Sequence, residues 1–190
     1  METLTDNALM TKVKNGNLDA LGLLFRRYQK PILGFFYRMN SDLTQSEDLV
    51  QMVFERVLRY REQFRAEGEF RTWLFHIARN VQHDAFRKQQ KQPVQASLSG
   101  YEQWAERLGT DKAADDDLEK VQNLALLDEA LQRLSPDKRE ILILSRFEEL
   151  KYSQIADILN ITENNVKIKV FRALQDLKRI YQHLEYEKNT

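Results

Sequence analysis

The sequence predicts an all-α protein of two small helical domains joined by a flexible linker, the second domain containing a helix-turn-helix. Three observations carry this. The 190 residues include only 6 Gly and 3 Pro, so breakers rarely interrupt the chain. Apolar residues recur at three-and-four spacing, the period of one helix face, rather than alternating as in half-buried strands. Between 92 and 117 that periodicity fades into a polar stretch ending in Asp115-Asp116-Asp117, whose Pro, Ser, Gly and acid content reads as a linker. Within it, Trp104 and Leu108 are candidates for transient docking or for one short helix. The expected domains are therefore 1–91 and 118–190.

Taken in order, a first helix is expected near 5–15 and a second over about 17–39. In the latter Leu21, Leu24, Phe25, Tyr28, Ile32, Phe35 and Phe36 repeat at helical spacing, with Pro31 inside the pattern predicting a kink or local break. Thr44-Gln-Ser-Glu47 has the form of a capping box and opens a third helix running through DLVQMVFERVLRYREQF. The loop RAEGE (65–69) leads into a fourth, GEFRTWLFHIARNVQHDAFRK (68–88). At 100° per residue, Phe70, Trp73, Leu74, Ile77, Ala78, Val81 and Ala85 form one stripe, sufficient for a core face. Phe75 and Phe86 fall outside it, on the flank with Arg71, Arg79 and Gln82. Core packing explains the first set; for Phe75 and Phe86 three roles are open, stacking on bases, packing on a neighbouring helix, or lying beneath a regulator.

The second domain begins with EKVQNLALLDEALQRL (119–134). Ser135-Pro136 then stops one helix and starts the next, with Ser as N-cap and Pro at the first helical position. After DKREILILSRF and the turn EELKY comes a short helix, SQIADILN, with Ser153 as its expected cap. Asn160 tolerates the left-handed conformation of a helix end, and Thr162 caps the long basic helix ENNVKIKVFRALQDLKRIYQHL. Short helix, tight turn and long basic helix have the form of a helix-turn-helix. Ile155, Ala156 and Leu159 are expected to pack on Val166, Val170, Ala173 and Leu177. The opposite face of the long helix carries Asn164, Lys167, Ile168, Phe171, Gln175 and Lys178. Ile168 and Phe171 suit thymine methyls and sugar edges in a major groove, while Asn and Lys reach base edges and phosphates; packing against another protein surface suits the same two residues.

Composition narrows the function. With no Cys, disulfides, cysteine-rich zinc sites and thiol catalysis are excluded. His76, His83 and His183 do not have a metal-ligand spacing, and no nucleophile, phosphate loop or carboxylate pair stands out. No apolar stretch is long enough to span a bilayer, and METLTDNALM lacks the apolar region of a signal peptide; a cytoplasmic protein without membrane insertion is expected. The 29 basic and 29 acidic residues cancel, but unevenly. Residues 70–91 hold five basic residues against Asp84 alone, and 163–183 hold five against two acids, whereas 91–118 hold three basic against six acidic. Local fields govern phosphate binding, so the neutral total is compatible with a nucleic-acid partner.

Both halves, in this order, resemble the extracytoplasmic-function (group IV) sigma factors of bacterial RNA polymerase. The matching stretches are FRRYQKPILGFFYRM, EDLVQMVFERVLR, FRTWLFHIARNVQHDAFRK and LQRLSPDKREILILSRFEELKYSQIADILNITENNVKIKVFRALQDLK. The resemblance implies a promoter-specificity subunit with no catalytic centre, metal site or cofactor. It implies that the first domain docks on the clamp helices of the polymerase largest subunit through the DLVQ helix, whose polar edge offers Asp48, Gln51, Glu55 and Arg59 beside Met52; the polymerase flap is the other expected contact. The same domain is expected to hold the non-template strand of the minus-ten element, with Phe64, Arg65 and Asn80 as base-capturing candidates and Arg71, Arg79, Arg87 and Lys88 along the phosphates. The second domain is expected to read the minus-thirty-five duplex through Thr162, Asn164, Lys167, Ile168, Lys169, Phe171 and Arg172. Here the chain departs from the commoner pattern, with Asn164-Asn165 in place of Gly-Thr and Ile168-Lys169 in place of Ser-Arg. Lysine does not reproduce bidentate arginine geometry, so the promoter sequence of relatives does not transfer. An anti-sigma partner is expected. The competing reading is a stand-alone dimeric helix-turn-helix regulator with an N-terminal sensing or dimerisation domain, which would read paired half-sites.

Overall fold

The computed structural model describes residues 4–89 and 118–188; the linker 92–117, with Trp104, Leu108 and the three aspartates, lies outside them. Among the described residues there are eight α-helices and no strand. They divide into two compact units, the first taking most of 4–89 and the second 118–188 with the short stretch 37–43.

In the first unit, α1 (Asp6–Lys14) is opened by Thr5, whose Oγ1 accepts the Ala8 N–H at 3.3 Å. Helix α2 (Leu18–Asn40) runs unbroken through Pro31, so the expected interruption does not divide it. Helix α3 (Leu43–Arg59) begins one residue before the capping-box Thr44 and ends earlier than its pattern predicts, giving way to a single 3-10 turn over Arg61–Gln63. Helix α4 (Phe70–Gln89) follows the exposed loop 65–69. The core joins Leu9, Met10 and Val13 of α1, Leu24, Ile32, Phe35 and Phe36 of α2, Val50, Val53 and Val57 of α3, and Phe70, Leu74, Phe75, Ala78 and Val81 of α4. Helix α4 is therefore enclosed over more of its circumference than a single stripe: Phe75, outside the predicted core face, meets Phe35 edge-on at 5.9 Å. Burying a Phe side chain of this size removes it from water at a gain of roughly 1.5–3 kcal/mol, which explains why the central helix carries so many.

The second unit contains α5 (Leu118–Gln132), α6 (Pro136–Leu142), a π-helical turn over Ile143–Phe147, α7 (Tyr152–Leu159) and α8 (Glu163–Lys188). Ser135 sits before α6 with Pro136 at its first position, but its hydroxyl makes no capping bond. The guanidinium of Arg139 instead holds the end of α5, donating to the carbonyls of Leu131, Gln132 and Leu134 at 2.9, 2.5 and 3.2 Å. Helix α8 packs on α5, α6 and α7. Its far end extends beyond the predicted stop at 184, and Leu184 joins Leu126 and Ala130 in a small core flanked by Leu177, Ile180 and Tyr181.

Candidate nucleic-acid interface

The helix-turn-helix is built as its residue types require. Helix α7 starts after Lys151, not at Ser153: the Gln154 side chain accepts the Lys151 N–H at 2.8 Å, so Gln154 takes the capping role assigned to Ser153. At the other end Asn160 adopts φ 53°, ψ 50°, the left-handed conformation predicted for it. The Ile161 N–H returns to the Ala156 carbonyl at 3.0 Å and the Asn160 N–H to Asp157 at 3.1 Å, closing the helix end. Two residues later Thr162 Oγ1 accepts the Asn165 N–H at 3.2 Å and opens α8. Between the helices Ile155, Ala156 and Ile158 bury against Val166, Val170 and Ala173. Ile158 does much of what Leu159 was expected to do, because Leu159 remains half-buried. Leu177 is also half-buried and serves the α5 contact instead.

All seven residues proposed for duplex reading are exposed: Thr162, Asn164, Lys167, Ile168, Lys169, Phe171 and Arg172. Two are large and apolar, Ile168 at 41% and Phe171 at 61% exposure. Helix α8 thus has a buried seam and an outer face that mixes cations, amide and apolar groups, the chemistry of a groove-reading helix.

On the first unit the candidates separate. Arg65, Asn80, Arg87 and Lys88 are exposed, and Arg71 and Arg79 are half-buried. Phe64 is a correction: at 2% exposure it lies beneath the loop, edge-on to Phe70 at 6.1 Å and to Trp73 at 5.4 Å. A base cannot stack on it while this core is closed. Its place in sequence, next to a polar loop, conceals that the 3-10 turn points it inward. Phe75 is likewise core, whereas Phe86 is 47% exposed beside the basic end of α4. That end is tied to α3, since Arg56 donates to Asp84 at 2.8 Å and this bond, reinforced by the Arg56 charge, holds the Asp84 carboxyl below its usual range. On α3 itself Asp48, Gln51, Glu55 and Arg59 are exposed at i, i+3, i+7 and i+11, one stripe, with Met52 half-buried beside them.

A residue that pattern reading passed over is Asn7 of α1. Its Nδ2 donates to the carbonyls of Ala66 at 3.1 Å and Gly68 at 2.8 Å, and its Oδ1 accepts the Phe70 N–H at 2.8 Å. Lys14 of the same helix donates to the Phe64 carbonyl at 3.0 Å. Nothing local in METLTDNALM signals these contacts, which span about sixty positions of sequence, |i−j| being 59, 61 and 63 for the three bonds of Asn7.

A four-helix unit followed by a helix-turn-helix unit, each with an exposed polar and cationic face, defines a two-domain nucleic-acid-binding protein. Comparison with known proteins narrows the class. The family described as Sigma-70 region 2 matches residues 24–92, and Sigma-70, region 4 matches 124–177. The chain is 32% identical over 178 residues to RNA polymerase sigma factor CarQ of Myxococcus xanthus, covering 94% of this chain and 98% of that protein. It is 31% identical to ECF RNA polymerase sigma factor SigX of Bacillus subtilis, covering 87% and 85%. The fold matches that of CnrH in its complex with the cytosolic domain of CnrY, with TM-score 0.71 and 21% identity over 94% of this chain and 97% of that one. A second match is the sigma factor RpoE of Bartonella quintana in complex with the anti-sigma factor NepR, with TM-score 0.65 and 24% identity over 84% and 96%. This chain belongs to the extracytoplasmic-function sigma factors, which are transcription-initiation factors. The family match spans both halves, so a dimeric helix-turn-helix regulator is not the reading it favours. Among the described residues no helix is long and apolar enough to cross a membrane.

Proposed function

We propose that this sigma factor binds bacterial core RNA polymerase and directs it to its own promoters, reading the minus-ten element with residues 1–91 and the minus-thirty-five element with 118–190. The observation that carries the proposal is the outer face of α8, where Ile168 and Phe171 stand exposed among Lys167, Lys169 and Arg172 behind a capped, left-handed turn. Thr162 and Asn164 complete that surface at the helix start, where free backbone N–H groups favour a phosphate.

On the first domain, Arg65, Arg71, Arg79, Asn80, Arg87 and Lys88 form the single-strand surface, with Asn80 reading a base edge and the cations following phosphates. Phe64 supports this surface from below. The α3 stripe Asp48, Gln51, Glu55 and Arg59, with Met52, is the polymerase-docking edge. The protein works in the cytoplasm, has no enzymatic activity of its own, and is held in check by an anti-sigma factor, as the structurally similar sigma factor RpoE is found in complex with the anti-sigma factor NepR.

The test is direct. Purified protein added to sigma-free core polymerase should bind it and produce a new set of transcription start sites sharing two spaced elements. Absence of core binding together with absence of new start sites would end the reading. A protein that instead bound free promoter duplex tightly as a dimer would favour the stand-alone regulator.

A further inference from the structure

Residues 65–69 form an exposed loop between the 3-10 turn and α4. Its internal bond is a weak one, the Gly68 N–H to the Arg65 carbonyl at 3.2 Å. One side chain from elsewhere supplies stronger ties. The Asn7 amide donates both of its hydrogens, to the Ala66 and Gly68 carbonyls, and its oxygen accepts the first N–H of α4, from Phe70. Two donors on carbonyls two residues apart fix the curvature of the loop, and the acceptor fixes where the loop becomes helix.

The chemistry is demanding. A carboxylate would keep the acceptor and lose both donors, and an apolar residue would lose all three bonds. Asn7 is itself stationed firmly: Leu9, Met10 and Val13 of its helix are buried, and Asp6 beside it is hydrogen-bonded by Arg27 and Tyr28 of α2. Helix α1 lies before the segment that matches region 2, yet it reaches the loop that precedes the single-strand surface.

We propose that Asn7 is a positioning residue for promoter opening, holding loop 65–69 in the shape that receives the unpaired minus-ten strand. This rests on the reading of the first domain given above. A loop ordered before the strand arrives saves the conformational entropy otherwise taken from binding, and it holds Arg65 in one place relative to α4 and Asn80. Asn7 touches no DNA in this scheme; it acts through the loop backbone.

The experiment uses the full-length protein on core polymerase and fluorescent single-stranded oligonucleotides carrying the minus-ten element, each position substituted in turn. Asn7→Ala and Asn7→Asp should each lose about tenfold in affinity for the best oligonucleotide and compress its preference over substituted ones, while core affinity changes by less than about twofold. Thr5→Ala removes the N-cap of the same helix without touching the loop; it should lower thermal stability and leave base preference intact. Unchanged preference in both Asn7 variants, or an equal change in Thr5→Ala, would overturn the assignment and leave Asn7 as a folding residue only. Arg65→Ala and Asn80→Ala, run in parallel, separate the levels. If they weaken base preference and the Asn7 variants do not, only this inference falls; if none of the four does, the reading of the first domain falls and this inference with it.

Discussion

Helix α4 buries Phe70 and Phe75 and leaves only Phe86 substantially exposed among its aromatics, whereas α8 keeps Ile168 and Phe171 outside its packed seam. Both helices are basic and both bear aromatics in sequence. They differ in how many neighbours surround them. Helix α4 is the centre of a four-helix unit, so side chains on most of its circumference meet protein and only polar tips and the last turns reach water. Helix α8 lies at the edge of its unit over its first half, so one seam satisfies the core and the remainder is free. An aromatic on a central helix is therefore first a packing residue; on an edge helix it is available to a ligand.

Truncating one aromatic from each helix environment should give the largest contrast. Phe64→Ala, beneath the α4 start, should cost about 3–5 kcal/mol in urea unfolding because it leaves a cavity among Phe70 and Trp73. Phe171→Ala should change stability by less than about 0.5 kcal/mol while weakening minus-thirty-five binding. Equal stability losses would mean that Phe171 packs on protein rather than DNA.

A smaller effect separates the two units by pH. Burial pushes the Asp128 carboxyl of α5 up to about 6. A carboxyl whose folded pKa lies above its unfolded one binds more protons when folded, so stability falls as pH rises through the window from about 4 to about 6. In the first unit Asp84 is shifted downward by Arg56, so its contribution is present at neutral pH and is lost only as pH falls below the ordinary Asp range of about 4. Asp128→Asn should raise the urea midpoint at pH 7 relative to the parent by a margin worth up to ~3 kcal/mol and nearly none at pH 4. A constant margin across that range would show that Asp128 is not the titrating group.

Next come the DNA readouts. Asn80→Ala should slow promoter opening by about tenfold, roughly 1.4 kcal/mol, with core binding spared; permanganate reactivity of unpaired thymines measures it, and equal opening by both proteins would refute the role. The smallest expected change is in salt dependence. Arg172→Ala or Lys169→Ala should lower the slope of log affinity against log salt by about one while leaving promoter preference alone. Lys167→Ala, on the row proposed to face the groove, should alter preference instead.

Much of this was legible in the chain because it depends on local chemistry. Asn160 in a left-handed turn and Thr162 as a cap follow from residue type two or three positions from where they act, and both are present. The outer face of α8 follows from a 3.6-residue period that tertiary contacts leave undisturbed. On α4 the periodicity predicts one core stripe, but a second side of the helix is enclosed as well, which places Phe75 inside, while the 3-10 turn before the loop directs Phe64 beneath it. Helix starts moved by a residue or two for a similar reason: at α7 a Gln side chain, not the nearer Ser, reaches the free N–H.

The all-α class, the two-domain order, the helix-turn-helix and the cationic faces follow from the chain's residues alone, since each rests on propensity, periodicity or capping over a few positions. Which aromatics face protein, which carboxyl is held away from water, and the bonds of Asn7 to a loop far along the chain emerge only once the helices are packed. Those outcomes depend on which helices become neighbours, and hydrogen bonds and burial between distant segments leave no periodic trace in the segments that make them.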